Sequence, residues 1–294
     1  MTTPSLQSPS RLVGVLGVGP VDPDAPAVPA DDLGLTRGDG CFEATRVVTG
    51  TAGDHRIDHL AEHLDRFDRS CAGLDLPPVD RPTWCALIDQ LLDGWTRPGE
   101  AMLRLLLSRG SESHPAAGIR GVVTLTAMAP ETLRQRQAGI DVITLERGGV
   151  PGAFAGAPWL LGGVKTLSYA VNMAALREAR RRDAHDVLFL DGAGGLLEAP
   201  TATVVWAAGR TLLSPPVEGT GVLDSITQRA LFAAAGRAGW RTGHAPGTVA
   251  DLRAADGCWL VSSGRGVAAV LSLDGIALDV PAALTRELTE LAGF

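Results

Sequence analysis

The sequence predicts an α+β protein built from two parts. Most predicted strands are separated by short Gly-containing turns, as in antiparallel hairpins, and the turn at Gly192–Gly195 is one example. No GxGxxG motif links a strand to a helix, which argues against a Rossmann fold. The stretch 148–163, rich in Gly and Pro, is the candidate connection between the halves. We therefore expect an N-terminal domain over 1–152 and a second domain over 153–294.

The first half reads as a mixture of strands and amphipathic helices. Apolar residues recur at helical spacing over 57–74, and Gly73 is placed to end that helix. A Gly turn precedes the strand in GDGCFEATRVVTG, residues 38–50. The predicted strands are 11–18, the strand within 38–50, 101–108 and 120–128, and the predicted helices are 57–74 and 81–95.

The second half opens at Val164-Lys165-Thr166 and has the same mixed character. The run DVLFLD, residues 186–191, is apolar and short, as expected of a buried strand. The predicted helices are 168–182, about 223–239 and 281–292, and the predicted strands are 186–191, 196–206, 211–213, 258–263 and 267–273.

Composition excludes several classes of protein. The net charge of −7 argues against general binding to nucleic acid or to anionic membranes. No apolar run reaches transmembrane length, and residues 1–10 are a polar tail without a signal core. The four cysteines show no CxxC spacing, which fits reduced thiols better than a disulfide framework or a zinc site. We expect a cytoplasmic protein.

The basic residues are 25 arginines and a single lysine, Lys165. Arginine meets the need for positive surface charge almost everywhere, as in proteins from GC-rich genomes. A guanidinium stays protonated and forms no stable imine with an aldehyde, whereas the amine of a lysine does. The retained lysine therefore points to amine chemistry.

Several motifs around Lys165 occur together in one order. They are GDGCFEATRV (38–47), HLDRFDRSCAGL (63–74), KTLSYAVNMAAL (165–176), LEAPTATVVW (197–206), GVLDSITQ (221–228) and VSSGRGVAAV (261–270). Over roughly residues 30–275 the chain resembles the class IV aminotransferases, the fold-type IV enzymes that use pyridoxal 5′-phosphate (PLP). This family includes 4-amino-4-deoxychorismate lyases, D-amino acid aminotransferases and branched-chain aminotransferases.

The resemblance implies an architecture and an assembly. It implies a small N-terminal α+β domain, a larger domain with a β-barrel-like core, and PLP at the interface of the two. It also implies a homodimer that acts on a small amino-acid-like substrate.

The resemblance assigns cofactor roles to seven residues. By position, Lys165 is the Schiff-base lysine and general acid/base, and Glu198 pairs with the pyridine nitrogen so that the ring can accept electrons. Ile226 and Thr227 begin a helix whose free N–H groups suit a phosphate. The remaining members are Arg66 and Ser263 as phosphate ligands, and Tyr169 near the phenolic oxygen of the cofactor.

The reaction that the motifs favour is that of a lyase. LSRGSES (107–113), KTLSY and SSGRGV resemble aminodeoxychorismate lyases, which convert 4-amino-4-deoxychorismate to 4-aminobenzoate and pyruvate in folate biosynthesis. The alternative is an aminotransferase for D-amino acids or branched-chain amino acids with a 2-keto acid acceptor, and an enzyme with both activities is a further possibility. Arg104 and Arg109 are the candidates for substrate carboxylates, with Arg109 preferred.

Other classes of protein are less consistent with the sequence. His55, His59 and His63 follow an i, i+4, i+8 spacing, but HLAEH lacks the HExxH order and no further ligand is evident, so we expect no metal. The chain contains neither GxSxG nor GxxxxGK[ST], which argues against a serine hydrolase and an NTPase. A non-catalytic binding protein on the same fold is the remote alternative.

Overall fold

Two β-sheets with helices packed on them form the protein in the computed structural model, which describes residues 9–150 and 152–294. The predicted N-terminal tail, residues 1–10, lies almost entirely outside this part of the chain. Unit 1 consists of the chain up to Ala129 together with Lys165–Ser168, and unit 2 consists of Pro130–Val164 and Tyr169–Phe294.

The chain changes unit at different places from the predicted division at 152/153. It leaves unit 1 after Ala129, and it returns there only for Lys165–Ser168. The stretch 148–163, predicted as the connection, belongs to unit 2.

Among its described residues, unit 1 contains six strands and three α-helices. Its sheet is antiparallel throughout, in the order β2-β1-β6-β5-β3-β4. The elements are β1 Arg11–Val15, β2 Gly19–Val21, α1 Leu33–Thr36, β3 Gly40–Thr49, β4 His55–Ile57, α2 Leu60–Gly73, α3 Arg81–Asp93, β5 Gly99–Ser108 and β6 Arg120–Ala127.

Side chains alternate between the two faces of this sheet. On one face, leucines of β5 pack with apolar side chains of α2 and α3 to form the core of unit 1. The other face bears Phe42, Ala44, Arg104 and Leu106, which are half-buried or exposed. We call this second surface the open face.

Unit 2 contains the remaining eight strands and five helices of the described residues. Its sheet follows the path β11-β10-β9-β12-β13-β7-β8, with β14 paired to β13. The elements are α4 Pro130–Ala138, β7 Ile140–Glu146, α5 Ala170–Arg181, β8 Asp186–Leu190, β9 Thr203–Ala208, β10 Thr211–Ser214, α6 Ile226–Arg237, β11 Arg241–His244, α7 Val249–Ala254, β12 Gly257–Ser262, β13 Gly266–Leu273, β14 Ile276–Ala277 and α8 Ala282–Leu291.

The central strands of unit 2 are buried on both faces. Val204 belongs to one apolar cluster and Val205 to another, because adjacent residues of β9 point to opposite sides. Strands β13, β7 and β8 run parallel to one another, so all three begin at the same edge of the sheet. The turn between β12 and β13 lies at that edge too, and it carries Ser263.

One sequence prediction of secondary structure was partly wrong, and two of the longer elements were not predicted. The strand predicted over 196–206 begins only at Thr203, and Glu198 lies in an irregular segment. Pro200 has no N–H to donate to a ladder, and Ala199 N–H instead bonds to the carbonyl of Ala202 at 2.9 Å. Helix α4 and strand β7 were not predicted, and α4 has no buried side chain that would give it an apolar stripe.

Candidate active site

The backbone around Lys165 is hydrogen-bonded to the start of strand β3. The carbonyl of Lys165 accepts the N–H of Phe42 at 2.9 Å, and the N–H of Leu167 donates to the carbonyl of Gly40 at 2.8 Å. The N–H of Lys165 donates to Ser70 Oγ of helix α2 at 3.2 Å. Three hydrogen bonds to two elements of unit 1 therefore fix this short segment, and with it the origin of the lysine side chain.

The side chain of Lys165 extends over an aromatic ring. Its Nζ lies 4.5 Å from the centroid of Phe42, within the range of a cation–π contact. Phe42 belongs to the open face, so the amine is placed on the side of the sheet opposite to the helices. Phe42 was not singled out from the sequence.

Arg104 lies on the same face as Phe42. In the register of β3 and β5, Arg104 faces Ala44 and Phe42 faces Leu106, which makes Arg104 and Phe42 diagonal neighbours. Such neighbours are about 7–8 Å apart, within reach of long side chains. Arg104 is exposed and has no ion-pair partner among residues 9–150 and 152–294. Its guanidinium is available to a ligand carboxylate.

Arg109, the preferred substrate arginine of the sequence analysis, is committed to protein groups. Its Nε and NH2 contact the carboxylate of Asp39 at 2.7 and 3.2 Å. It also donates to the carbonyls of Leu74 at 2.6 Å and Asp75 at 3.3 Å. The hydrogen bond to Asp39 raises the pKa of Arg109. These contacts tie the end of β5 to the loop after α2, so the guanidinium of Arg109 is already engaged by protein groups.

Arg66 takes part in a buried cluster with Glu43 and His63. Its Nε and NH2 donate to the two carboxylate oxygens of Glu43 at 2.7 and 2.9 Å. Nδ1 of His63 lies 2.7 Å from Glu43 Oε2. All three side chains are at most 7 % exposed. Glu43 was not predicted as a site residue from the sequence, and His63 was considered only as a weak metal ligand, although the spacing of His63 and Arg66 places both on one face of α2.

The charges of this cluster follow from burial and pairing. Burial alone raises the pKa of Glu43, but the hydrogen bond and charge of Arg66, together with His63, lower it to about 2. Burial lowers the pKa of His63 in spite of the hydrogen bond to Glu43, and the charges of Arg66 and Lys165 lower it further. At neutral pH the cluster therefore holds an ionised Glu43, a cationic Arg66 and a neutral His63.

Glu198 and Tyr169 lie in unit 2, each with a defined partner. Glu198 Oε2 accepts the N–H of Leu223 at 3.1 Å, and its Oε1 lies 3.8 Å from NH1 of Arg147. The side chain of Glu198 is 16 % exposed. The hydroxyl of Tyr169 donates to the carbonyl of Pro200 at 2.5 Å. Glu198 thus combines a carboxylate in a largely buried position with a neighbouring backbone donor and a cation.

The start of helix α6 has the character of an anion site. Ser225 caps the helix by accepting the N–H of Gln228 at 3.3 Å. Within the described chain, the N–H groups of Ile226 and Thr227 have no hydrogen-bond acceptor. Thr227 Oγ1 lies 3.0 Å from Ser263 Oγ. Two N–H groups and two hydroxyls therefore meet at a positive helix end.

The predicted residues fall into two sets. In unit 1, Lys165, Arg66 and Arg104 lie at the six-stranded sheet, and Arg109 lies at the end of β5. Unit 2 contains the other five, which are Tyr169, Glu198, Ile226, Thr227 and Ser263. Among residues 9–150 and 152–294, no group of three or more His, Cys, Asp and Glu side chains is arranged to hold a metal ion. In the same ranges, none of the helices has the length and hydrophobicity needed to cross a bilayer.

Comparison with known proteins gives matches over nearly the whole chain. The family model for class IV amino-transferases matches residues 40–273. A bifunctional aminodeoxychorismate lyase/D-amino acid transaminase from Mycobacterium tuberculosis is 37% identical over 263 residues, which cover 87% of this chain and 89% of that protein.

Solved structures show the same similarity. A hypothetical aminotransferase from Mycobacterium tuberculosis has been solved in a PLP-bound form and in a form with α-ketoglutarate and PMP. Both are 36% identical, with TM-scores of 0.87 and 0.88, and cover 96% of this chain and 98% of theirs. A fold IV-transaminase from Curtobacterium pusillum is 34% identical with a TM-score of 0.87, covering 97% of each chain.

Proposed function

Since the chain belongs to the class IV aminotransferase family and is therefore a PLP-dependent enzyme, we propose that it converts 4-amino-4-deoxychorismate to 4-aminobenzoate and pyruvate. The predicted family, the fold-type IV architecture and the PLP cofactor are confirmed. Membership of an enzyme family sets aside the remote alternative of a non-catalytic binding protein.

The observation that carries the proposal is the exposed residue Arg104, a diagonal neighbour of Phe42, whose ring Nζ of Lys165 contacts. A carboxylate bound by Arg104 lies on the open face, where Nζ of Lys165 packs against Phe42. The substrate of the lyase carries two carboxylates, one on its unsaturated ring and one on the enolpyruvyl group attached to that ring. Arg104 suits one of these carboxylates, and the ring of Phe42 offers an apolar surface for the hydrocarbon part of the substrate.

The residues present fit the cofactor. The free N–H groups of Ile226 and Thr227, with the hydroxyls of Thr227 and Ser263, are donors that suit a phosphate dianion. Arg66, whose charge is paired with Glu43, is the candidate for a further contact to the phosphate, Glu198 for the protonated pyridine nitrogen, and Tyr169 for the phenolic oxygen. We propose that these residues and Lys165 hold PLP.

Bound PLP supplies an electrophilic aldehyde and a ring that accepts electrons. Lys165 provides the amine that holds the cofactor and then the base that removes a proton from the substrate carbon bearing the amino group. Glu198 would pair its carboxylate with the protonated pyridine nitrogen and so keep positive charge on the ring. The enolpyruvyl group leaves as pyruvate while the ring becomes aromatic, so the two products together contain all the atoms of the substrate.

A second candidate reaction is transamination of D-amino acids with a 2-keto acid acceptor. The relative from Mycobacterium tuberculosis is named for both activities, and a similar structure contains α-ketoglutarate. Lys165 would serve this reaction as well, by taking the proton from Cα. Branched-chain amino acids remain a further alternative substrate, since branched-chain aminotransferases belong to the same family.

We also propose that the enzyme is a cytoplasmic homodimer. Unit 2 exposes apolar side chains in and beside the stretch 148–163, and Trp159 is 75% exposed. Exposed apolar surface of this kind is typical of contacts with another protein. Val150 and Leu160 of the same stretch are exposed as well, and so are Val171 and Met173 of helix α5. The four free cysteines fit a reducing compartment.

Direct assay of products tests the reaction. Purified enzyme with PLP should release 4-aminobenzoate and pyruvate in equal amounts from aminodeoxychorismate. Keto acids should be measured in parallel from D- and L-amino acids. Robust transamination without any 4-aminobenzoate would reject the lyase proposal and favour the second candidate.

A paired substitution tests the role of Arg104. Arg104→Met keeps the length of the side chain but removes its charge, so it should raise the KM for aminodeoxychorismate by roughly 10–100-fold, as expected for a lost charged hydrogen bond. Arg109→Met is the control for a structural arginine and should lower thermal stability more than it raises KM. A large rise in KM for Arg109→Met, with little change for Arg104→Met, would instead assign the substrate carboxylate to Arg109.

A further inference from the structure

The turn between β12 and β13 carries Ser263 and is fixed by side chains that lie far away in the sequence. The hydroxyl of Ser263 lies 3.0 Å from Thr227 Oγ1 at the start of α6. Within the turn, the N–H of Arg265 donates to Ser262 Oγ at 3.3 Å. A hydroxyl in a short turn depends on the conformation of that turn for its direction, so the contacts that hold the turn also set where Ser263 points.

Arg136 of helix α4 holds the turn through its carbonyl groups. Its Nε donates to the carbonyl of Arg265 at 2.9 Å, and its NH2 donates to that of Gly264 at 3.0 Å. The ring of Phe294 covers the same guanidinium at 4.7 Å. This tie connects the turn to the element that precedes β7.

Arg265 holds the turn through a buried ion pair. Its NH1 lies 2.7 Å from Oδ2 of Asp186, the first residue of β8, and these side chains are 11% and 0% exposed. The other oxygen of Asp186 accepts the N–H of Val187 at 2.8 Å. Apart from this ion pair, neither Arg265 NH1 nor Asp186 Oδ2 has a hydrogen-bond partner among the described residues. Each charge therefore depends on the other for compensation.

The position of this pair suits a role beyond stability. Strands β13, β7 and β8 begin at the same end of the sheet. Arg265 directly precedes β13 and contacts Asp186 at the start of β8, so the ion pair spans the intervening strand β7. A buried ion pair often adds no more stability than an apolar pair of similar size, although it does fix geometry. Both ties, from Arg136 and from Asp186, end on the residues that directly follow Ser263.

We propose that Asp186 and Arg265, assisted by Arg136, are positioning residues that orient the Ser263 hydroxyl towards the phosphate of the cofactor. The inference rests on the proposed role of Ser263 and Thr227 as phosphate ligands. Asp186 and Arg265 act through the turn and need not touch the cofactor. Their loss should therefore weaken recognition of the phosphate group and leave recognition of the pyridine ring intact.

The experiment compares the binding of PLP with that of pyridoxal, which lacks the phosphate, to apoprotein by absorbance titration. Asp186→Asn and Arg265→Met each leave one buried charge unpaired and threaten the fold. The double variant Asp186→Leu/Arg265→Met replaces the pair with apolar side chains and should remain folded. In the double variant the preference for PLP over pyridoxal should fall at least tenfold, with pyridoxal binding changed less than twofold.

Two controls separate the possible causes. Leu212→Ala removes a fully buried side chain of unit 2 away from the turn, and it should lower thermal stability without changing the PLP/pyridoxal preference. Ser263→Ala should lower that preference directly. An unchanged preference in Ser263→Ala overturns the phosphate assignment and this inference with it. A loss in Ser263→Ala combined with an unchanged preference in the double variant overturns this inference alone.

Discussion

Glu43→Gln is the most informative test of the buried cluster in unit 1. The substitution keeps the shape of the side chain but removes the charge that pairs with Arg66 and accepts from His63. Lowering the pKa of Glu43 from its ordinary 4.5 to about 2 corresponds to about 3 kcal/mol, at roughly 1.36 kcal/mol per pH unit. Breaking a buried ion pair from one side typically costs about 3–5 kcal/mol. We therefore expect a loss of about 3 kcal/mol at pH 7.

Urea unfolding of the apoprotein, followed by circular dichroism, measures this loss. The pKa of Glu43 is depressed in the folded state, so its contribution is fully present above pH 4.5 and declines as the pH falls towards 2. The stabilities of the wild type and the variant should converge over that range. Glu62→Gln, on the exposed side of α2, is the matched control and should leave the midpoint unchanged. A difference under 1 kcal/mol at pH 7, or one that does not shrink in acid, would refute the reasoning.

Three further predictions concern the cofactor residues. Lys165→Arg keeps a cation over Phe42 but lacks the amine. The absorbance band of bound cofactor should therefore be absent, and activity should fall by ~10²–10⁴-fold or more. In the wild type, borohydride reduction followed by peptide mapping should find the modification on Lys165. Glu198→Gln still accepts the N–H of Leu223, so the fold should persist while kcat falls by roughly 10²-fold; unchanged kcat would remove the carboxylate from its role. Ser263→Ala should weaken PLP binding by roughly 10–100-fold in an equilibrium titration, the worth of a hydrogen bond to a charged group.

The elements that the sequence predicted well are those whose own residues show a clear pattern, either apolar residues at helical spacing or a strand that follows a Gly turn. Helix α2 shows its buried face in Leu64, Phe67 and Cys71, and the structure places the helix within the predicted span. Strand β3 follows its Gly turn as expected. Helix α4 was not predicted because it has no buried side chains, so its sequence shows no helical repeat of apolar residues. The strand predicted over 196–206 was too long because Pro200 interrupts an otherwise strand-like run.

The candidate site was harder to predict, because its partners are distant in sequence. Lys165 was proposed from the chemistry of a single amine and from the motifs around it, but the sequence did not indicate that Phe42 lies against it. Arg109 was preferred for a substrate because it follows a strand and precedes Gly110, whereas Asp39, 70 residues earlier, engages its guanidinium. The position of Arg104 as a diagonal neighbour of Phe42 became evident only from the register of β3 and β5.

The placement of Lys165–Ser168 in unit 1 limits how the gene can be divided. A single cut between Ala129 and Lys165 assigns this lysine to the C-terminal fragment, away from the Phe42, Gly40 and Ser70 groups that hold its backbone. Neither fragment would then contain a correctly held amine. Swapping halves between homologues should therefore succeed only when the tetrapeptide and strand β3 come from the same parent or from parents matched at these positions.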